Sequence, residues 1–405
     1  MAKRDDLTVN LLDGAFYAGD PYPAYARLRE EAPVYRDTVN GIWGISRYAD
    51  VVEVERHPAR YSSAQGSRPH IVGDVSMINN DDPLHQHKRR LVARRFTPRS
   101  VRDHEDHVRG IVTELIDAVA GTGGCDVVQA LAAPLPARVI CEMLGFDHDL
   151  WPKCLEWSEV TMYEGGQYNS DGSERQTTDR TVHAVLEFAE AALAVVEARR
   201  AAPRNDLISA WVHSAVEFPD GTVRAMSDDE IVSEALLVLD GGAETTRTVI
   251  GSIAVELARR PDPRAQLVAD PTILGATGVE EFIRWVSPIL NMRRTATEAH
   301  ELHDQAIEAG DELLLRYSSA NRDERVFADP ETFDVTREHN HHVAFGFGTH
   351  FCLGASLARL EIRVMFEELL RRIPDWRIAP GAEPQILPSA FARGYDAIPI
   401  EFSPA

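Results

Sequence analysis

The run Phe345-Gly346-Phe347-Gly348-Thr349-His350-Phe351-Cys352-Leu353-Gly354-Ala355 decides how this chain is read, because it presents one cysteine inside a glycine-rich loop. Apolar residues follow at helical spacing (Leu353, Leu357, Leu360, Val364, Leu369) and Pro374 lies just past them, so a helix is predicted over residues 353–372. Cys352 then stands at a helix N-terminus, where unpaired N–H groups and the helix dipole favour the thiolate. A thiolate is both a nucleophile and a metal ligand. Gly346, Gly348 and Gly354 remove side chains around the sulfur and permit positive φ, so that backbone N–H groups or a flat cofactor can approach it.

The bulk numbers narrow the field. With 405 residues, 44% of them hydrophobic, the chain can bury a large core, and length alone suggests two or three domains. A formal charge of −22 argues against a nucleic-acid partner. No apolar run reaches the length of a membrane span, and the start Met1-Ala-Lys-Arg-Asp-Asp has no signal-peptide core behind it, so a cytoplasmic protein without a membrane anchor is expected. The four cysteines, Cys125, Cys141, Cys154 and Cys352, show neither CxxC pairing nor a disulfide framework.

Working outward, a β-hairpin is predicted around Asn40-Gly41 and a long, functional loop over residues 61–80. A basic helix follows over residues 82–95, with Asp82 as N-cap and Pro83 at the first helical position. Helical patterns fill residues 101–215, interrupted near Gly121, Pro134, Gly165-Gly166 and Pro203. The longest helix opens on the capping box Ser227-Asp-Asp-Glu230 and stops at Pro261. Its apolar middle places it in the core. Inside it, Gly241 and Gly242 each cost about 1 kcal/mol relative to alanine, which implies a need for room, for a neighbouring helix or for chemistry beside Glu244 and Thr245. Glu281 and Arg284 share one helix face, a second small sheet is expected over residues 289–318, and a charged loop then delivers Arg337.

Taken together, these motifs resemble those of a bacterial cytochrome P450, a haem-thiolate monooxygenase, from about Tyr22 onward. The resemblance implies a mainly α fold: one domain over residues 1–405, with small peripheral β-sheets and a long central helix over haem b. It makes Cys352 the iron ligand, with Phe345, Gly346 and Gly354 against the haem. Glu244 and Thr245 become the acid and alcohol of proton delivery, and Glu281, Arg284 and Arg337 a structural triad behind the cysteine loop. His85, Arg89, Arg294 and His350 fall where the family contacts the haem propionates. Charge-assisted bonds of that kind are the usual solution for buried carboxylates. A glycine that the family carries near Asp304 is absent.

The same resemblance implies insertion of one oxygen atom from O2, with electrons from a ferredoxin and a ferredoxin reductase, since no flavin or nicotinamide fingerprint is present. The run 240–247, the start Asp13-Gly-Ala-Phe-Tyr17 and Ala358-Arg-Leu-Glu361 are similar to actinobacterial enzymes that oxidise cholesterol or cholestenone side chains. A fatty acid or a natural-product intermediate is the alternative substrate. Met77, Ile78, Val238, Gly242, Ile289, Leu290, Met292 and Phe391 are the candidate apolar lining. Arg89 to Arg99 offer a docking face for an acidic donor. Two other classes stand beside this one: a haem-thiolate sensor or carrier without turnover, and a hydrolase or transferase in which Cys352 is a nucleophile paired with a histidine.

Overall fold

The computed structural model describes residues 7–164 and 178–404. The break expected at Gly165-Gly166 lies outside the described residues. The helix Asp228–Arg259 begins as its capping box dictates: the Glu230 N–H donates to Ser227 Oγ at 3.2 Å, and the Ser227 N–H to Glu230 Oε2 at 2.7 Å. Its 32 residues span about 48 Å. Ala235, Leu239, Ile250 and Ile253 are buried on several sides of it, because the helices Pro134–Leu144, Trp151–Tyr163, Asp179–Ala201, Val279–Val286 and Ala355–Arg372 pack around it.

The two central glycines do different work. A Cβ on Gly242 would come within 2.8 Å of Ile140 Cγ1 and 2.9 Å of its Cδ1, so this glycine admits the helix Pro134–Leu144. A Cβ on Gly241 would meet nothing within 4 Å. Gly241 faces open space, so the packing reading of the glycine pair applies at Gly242 alone.

The hairpin Val34–Asp37 and Ile42–Ile45 forms as predicted, but it does not belong to a sheet of its own. Glu312–Arg316 pairs parallel with it, Leu313 opposite Trp43, and antiparallel with Asn291–Ala296, to which Tyr61–Ser62 adds. The two small sheets expected from sequence are therefore one five-stranded sheet. Pairing between segments so far apart in the chain leaves no local signal. A separate hairpin, His300–Leu302 with Gln305–Ile307, turns through His303 and Asp304 at φ 49° and 59°. Asp304 adopts there the left-handed conformation that a glycine would take at lower cost.

Two helix starts differ from expectation. The basic helix is Leu84–Val92, continued as a tighter turn over Ala93–Phe96, and Pro83 occupies the N-cap position without a side-chain cap. Asp82 accepts instead from Gln86 and Thr349, at 2.8 and 2.9 Å. The cysteine helix is Ala355–Arg372, preceded by a short turn Gly348–His350, so that Cys352 lies in the loop just ahead of it.

Candidate active site

A cavity of roughly 660 Å³ lies between the central helix and the cysteine loop, and Cys352 is the one cysteine of the four on its wall. The loop is shaped by Gly346 and Gly348 at φ 68° and 70°, and by the Cys352 N–H donating to Phe345 O at 2.9 Å. Gly354 is not at positive φ. It contributes by leaving open space, since a Cβ there would meet nothing within 4 Å. A flat group can lie against it.

Burial pushes the Cys352 thiol up, against the opposing pull of the Gly354 and Ala355 N–H groups and the Arg89 and Arg359 cations. The depressed thiol expected from sequence is therefore not a property of the protein alone. Enclosure outweighs the helix terminus, so a thiolate here would need a further positive charge beside it. The ring of His350 lies over that of His85, centroids 4.0 Å apart.

One end of the cavity is cationic. His85, Arg89, Arg294 and His350 all line it. Arg89 reaches it after donating to Phe351 O at 2.6 Å, and Arg294 after donating to Arg293 O at 2.8 Å. Burial, then Arg294 and His85, drive the His350 pKa down to about 2. So dense a set of donors around buried space fits an anion, and its position beside a cysteine sulfur and an open glycine fits the two carboxylates of a haem.

Met77, Ile78, Val238, Gly242, Ile289, Met292 and Phe391 supply apolar lining to the same cavity. Leu290 does not: it stands just ahead of the strand Asn291–Ala296 and packs into a small cluster with Tyr17, Tyr25 and Ala390.

Thr245 lines the cavity, its hydroxyl donating to Gly241 O at 2.9 Å. Glu244 is not among the lining residues. Its carboxylate accepts from Arg247 at 3.0 Å and from Ser158, on the helix Trp151–Tyr163, at 3.0 Å. Four carboxyl groups that sequence reasoning missed do line the cavity, Glu55, Asp74, Asp240 and Glu361. Burial raises Asp240 to about 7, although Thr161 donates to its Oδ1 at 2.7 Å and Arg68 lies near. Burial raises Glu361, bonded to Thr246, to about 8. An acid following the apolar run 235–239 was a visible signal for Asp240; Glu361, on a helix rich in charge, gave none.

Behind the loop, Glu281 and Arg284 are wholly buried and paired through both carboxylate oxygens at 2.7 and 2.8 Å. Arg337 joins at 3.2 Å, and Arg284 also reaches Asn321 O and Pro330 O.

A family model described as Cytochrome P450 matches residues 172–391. A steroid C26-monooxygenase of Mycolicibacterium smegmatis is 42% identical over 398 residues, covering 98% of this chain and 96% of that protein. The chain belongs to the cytochrome P450 family. Its fold agrees: a Mycobacterium marinum cytochrome P450 solved with pseudoionone superposes with a TM-score of 0.88 at 31% identity, covering 99% of this chain and 100% of that one. A methyl-branched lipid omega-hydroxylase of Mycobacterium bovis is 38% identical, covering 94% of this chain and 90% of its own. The protein is a cytochrome P450 monooxygenase, a mainly α fold with small sheets that uses haem b, dioxygen and a redox partner. No helix among the described residues is long and apolar enough to cross a membrane.

Proposed function

We propose that this cytochrome P450 oxidises the side chain of a steroid-type lipid such as cholesterol or cholestenone, with Cys352 as the haem ligand. The observation that carries the reading is the presence in one cavity of a cationic end, a sulfur and an apolar lining. Haem, when bound, supplies the activation of dioxygen, to which the thiolate contributes electron density. The chain's own residues do the rest. Arg89, Arg294, His85 and His350 would hold the propionates, Gly354 leaves room for the ring, and the wall from Met77 to Phe391 orients an apolar substrate and excludes water.

Proton delivery is assigned to Thr245, the hydroxyl at the wall of the cavity. It draws on Asp240, five residues earlier on the same helix, whose carboxyl keeps its proton to near neutral pH. Glu244 stands behind it, held by Arg247 and Ser158. The electron donor is a ferredoxin, served by its reductase and docking on the exposed Arg90, Arg94 and Arg99. Arg89 turns inward to Phe351 and leaves that set. Charge reversal at Arg94 should raise the donor's apparent KM, most at low salt.

The similarity to a methyl-branched lipid hydroxylase supports a second reading, a branched-chain fatty lipid. Spectral titration of the ferric protein with cholestenone, a methyl-branched fatty acid and a macrolide core separates them. A steroid substrate predicts a Soret shift with cholestenone at the lowest concentration. A response to the branched acid alone, with none to cholestenone, transfers the assignment to the second reading.

A further inference from the structure

The basic residues of the helix Leu84–Val92 do not form one solvated face. Arg90 is exposed, His85 and Arg89 line the cavity, and Lys88 is buried with its side chain 2% exposed. The Lys88 ammonium stands 3.5 Å from Oε1 of Glu234, a residue of the central helix whose side chain is 0% exposed, and it donates to Val75 O. The Met77 N–H lies against the same carboxyl group. Val75 and Met77 belong to residues 71–79, a stretch with no regular element ahead of the tight turn Met77–Asn79. Asp74 folds this stretch on itself, its Oδ1 accepting from the Ser76 N–H and from Asn79 Nδ2, each at 2.9 Å. Val72 is 89% and Val75 49% exposed, while Met77, Ile78 and Asn79 line the cavity.

A buried ion pair is a poor source of stability, because desolvation of both charges offsets most of their attraction and apolar residues of the same volume serve as well. What it does supply is a donor at a fixed place. Here the donor meets a main-chain carbonyl of a segment with solvent on one side and the cavity on the other. Such a segment opens with little loss of buried contact unless its main chain is held. We propose that Lys88 and Glu234 are positioning residues for the substrate: Glu234 fixes the Lys88 ammonium, and Lys88 holds residues 74–79 in place so that Met77 and Ile78 present a fixed surface to the bound lipid. Neither side chain lines the cavity itself. The inference serves either substrate reading, since each sets an apolar ligand against that lining.

Two iron-binding probes, titrated spectrally into the ferric holoprotein, separate positioning from stability. Imidazole makes few contacts with the lining; 1-tritylimidazole carries three phenyl rings that press on it. Lys88→Met releases Val75 O and leaves Glu234 without its counter-charge, so the urea midpoint should fall; K88M/E234L removes both charges and should restore it. Both variants should bind tritylimidazole about tenfold more weakly than the wild type, because only a fraction of the molecules then hold the lining in place, and imidazole with wild-type affinity. Wild-type affinity for tritylimidazole in the double variant would make the pair an element of stability alone, and an equal loss for both probes would place the effect at the haem; either result overturns the proposal. Hydrogen exchange of the K88M holoprotein is an independent readout. Amides 76–80 should accelerate about tenfold more than those of the central helix, and acceleration by the same factor in both would count against a local role.

Discussion

Neighbouring glycines in the central helix should respond to alanine with opposite signs. Replacing a helix-interior glycine by alanine gains about 1 kcal/mol of helix propensity. At Gly241 nothing within 4 Å opposes the new methyl, so Gly241→Ala should stabilise the protein by about that amount while narrowing the cavity into which the methyl projects. At Gly242 the methyl would stand 2.8 Å from Ile140 Cγ1, closer than any relaxed contact, and the helix Pro134–Leu144 or the Ile140 rotamer must give way. Overpacking of this kind costs about 1–3 kcal/mol. Set against the propensity gain, Gly242→Ala should be destabilising by up to about 2 kcal/mol. Urea unfolding of the ferric protein measures both stabilities, and ligand titration measures the cavity: G241A should weaken binding of a bulky ligand, and G242A should not. The clash can be isolated with Ile140→Ala, which removes Cγ1 and Cδ1 and leaves Cβ at 3.3 Å. The double variant should then be more stable than the sum of the singles by about 1–3 kcal/mol. Additive single effects, or the same sign at both glycines, would refute the division of roles between them.

Glu281→Gln should cost about 3–5 kcal/mol, because Arg284 would stay buried with its main counter-charge gone; a lowered urea midpoint and faster haem loss are the expected readings, and a loss under about 1 kcal/mol would contradict the buried pairing. Asp240 gives a pH prediction with a definite sign. Its folded pKa of about 7 lies above the unfolded value, so its contribution to stability is intact below about pH 4 and is lost as the pH rises towards 7. Asp240→Asn should therefore lose less stability than the wild type over that interval, by at most about 4 kcal/mol, and identical pH profiles of the melting temperature would refute the burial argument.

What the sequence revealed follows from the range of the forces involved. The central helix was legible because its capping box, apolar middle and terminal proline are all local. The turn at Asn40-Gly41 was legible for the same reason. The merging of that hairpin with Glu312–Arg316 was not, since the pairing of Trp43 with Leu313 joins segments about 270 residues apart. At the site, His85 and Arg89 were placed by the resemblance to the family, and their i, i+4 spacing on one helix face agrees with it. Leu290 could not be placed, because the residues that bury it, Tyr17, Tyr25 and Ala390, come from segments far away in the chain. Glu244 was read as the acid of proton delivery, yet Arg247, one turn on, holds its carboxylate in an ion pair. The thiol of Cys352 was judged from its helix terminus, whereas burial by surrounding segments sets the direction of its shift. Glu55 carried no signal, since only the packed structure brings it to Tyr317 and Arg294.

The account stands on Cys352 as the thiolate that holds the haem. The most direct test is the absorption of the dithionite-reduced, haem-loaded protein under carbon monoxide, for the wild type and for Cys352→Ser. The account predicts a Soret band at the long wavelength that thiolate ligation produces in the wild type, and its loss in C352S with the helical far-UV signal retained. A wild-type protein that binds haem stoichiometrically and lacks that band, or a C352S variant that keeps it, would contradict the assignment.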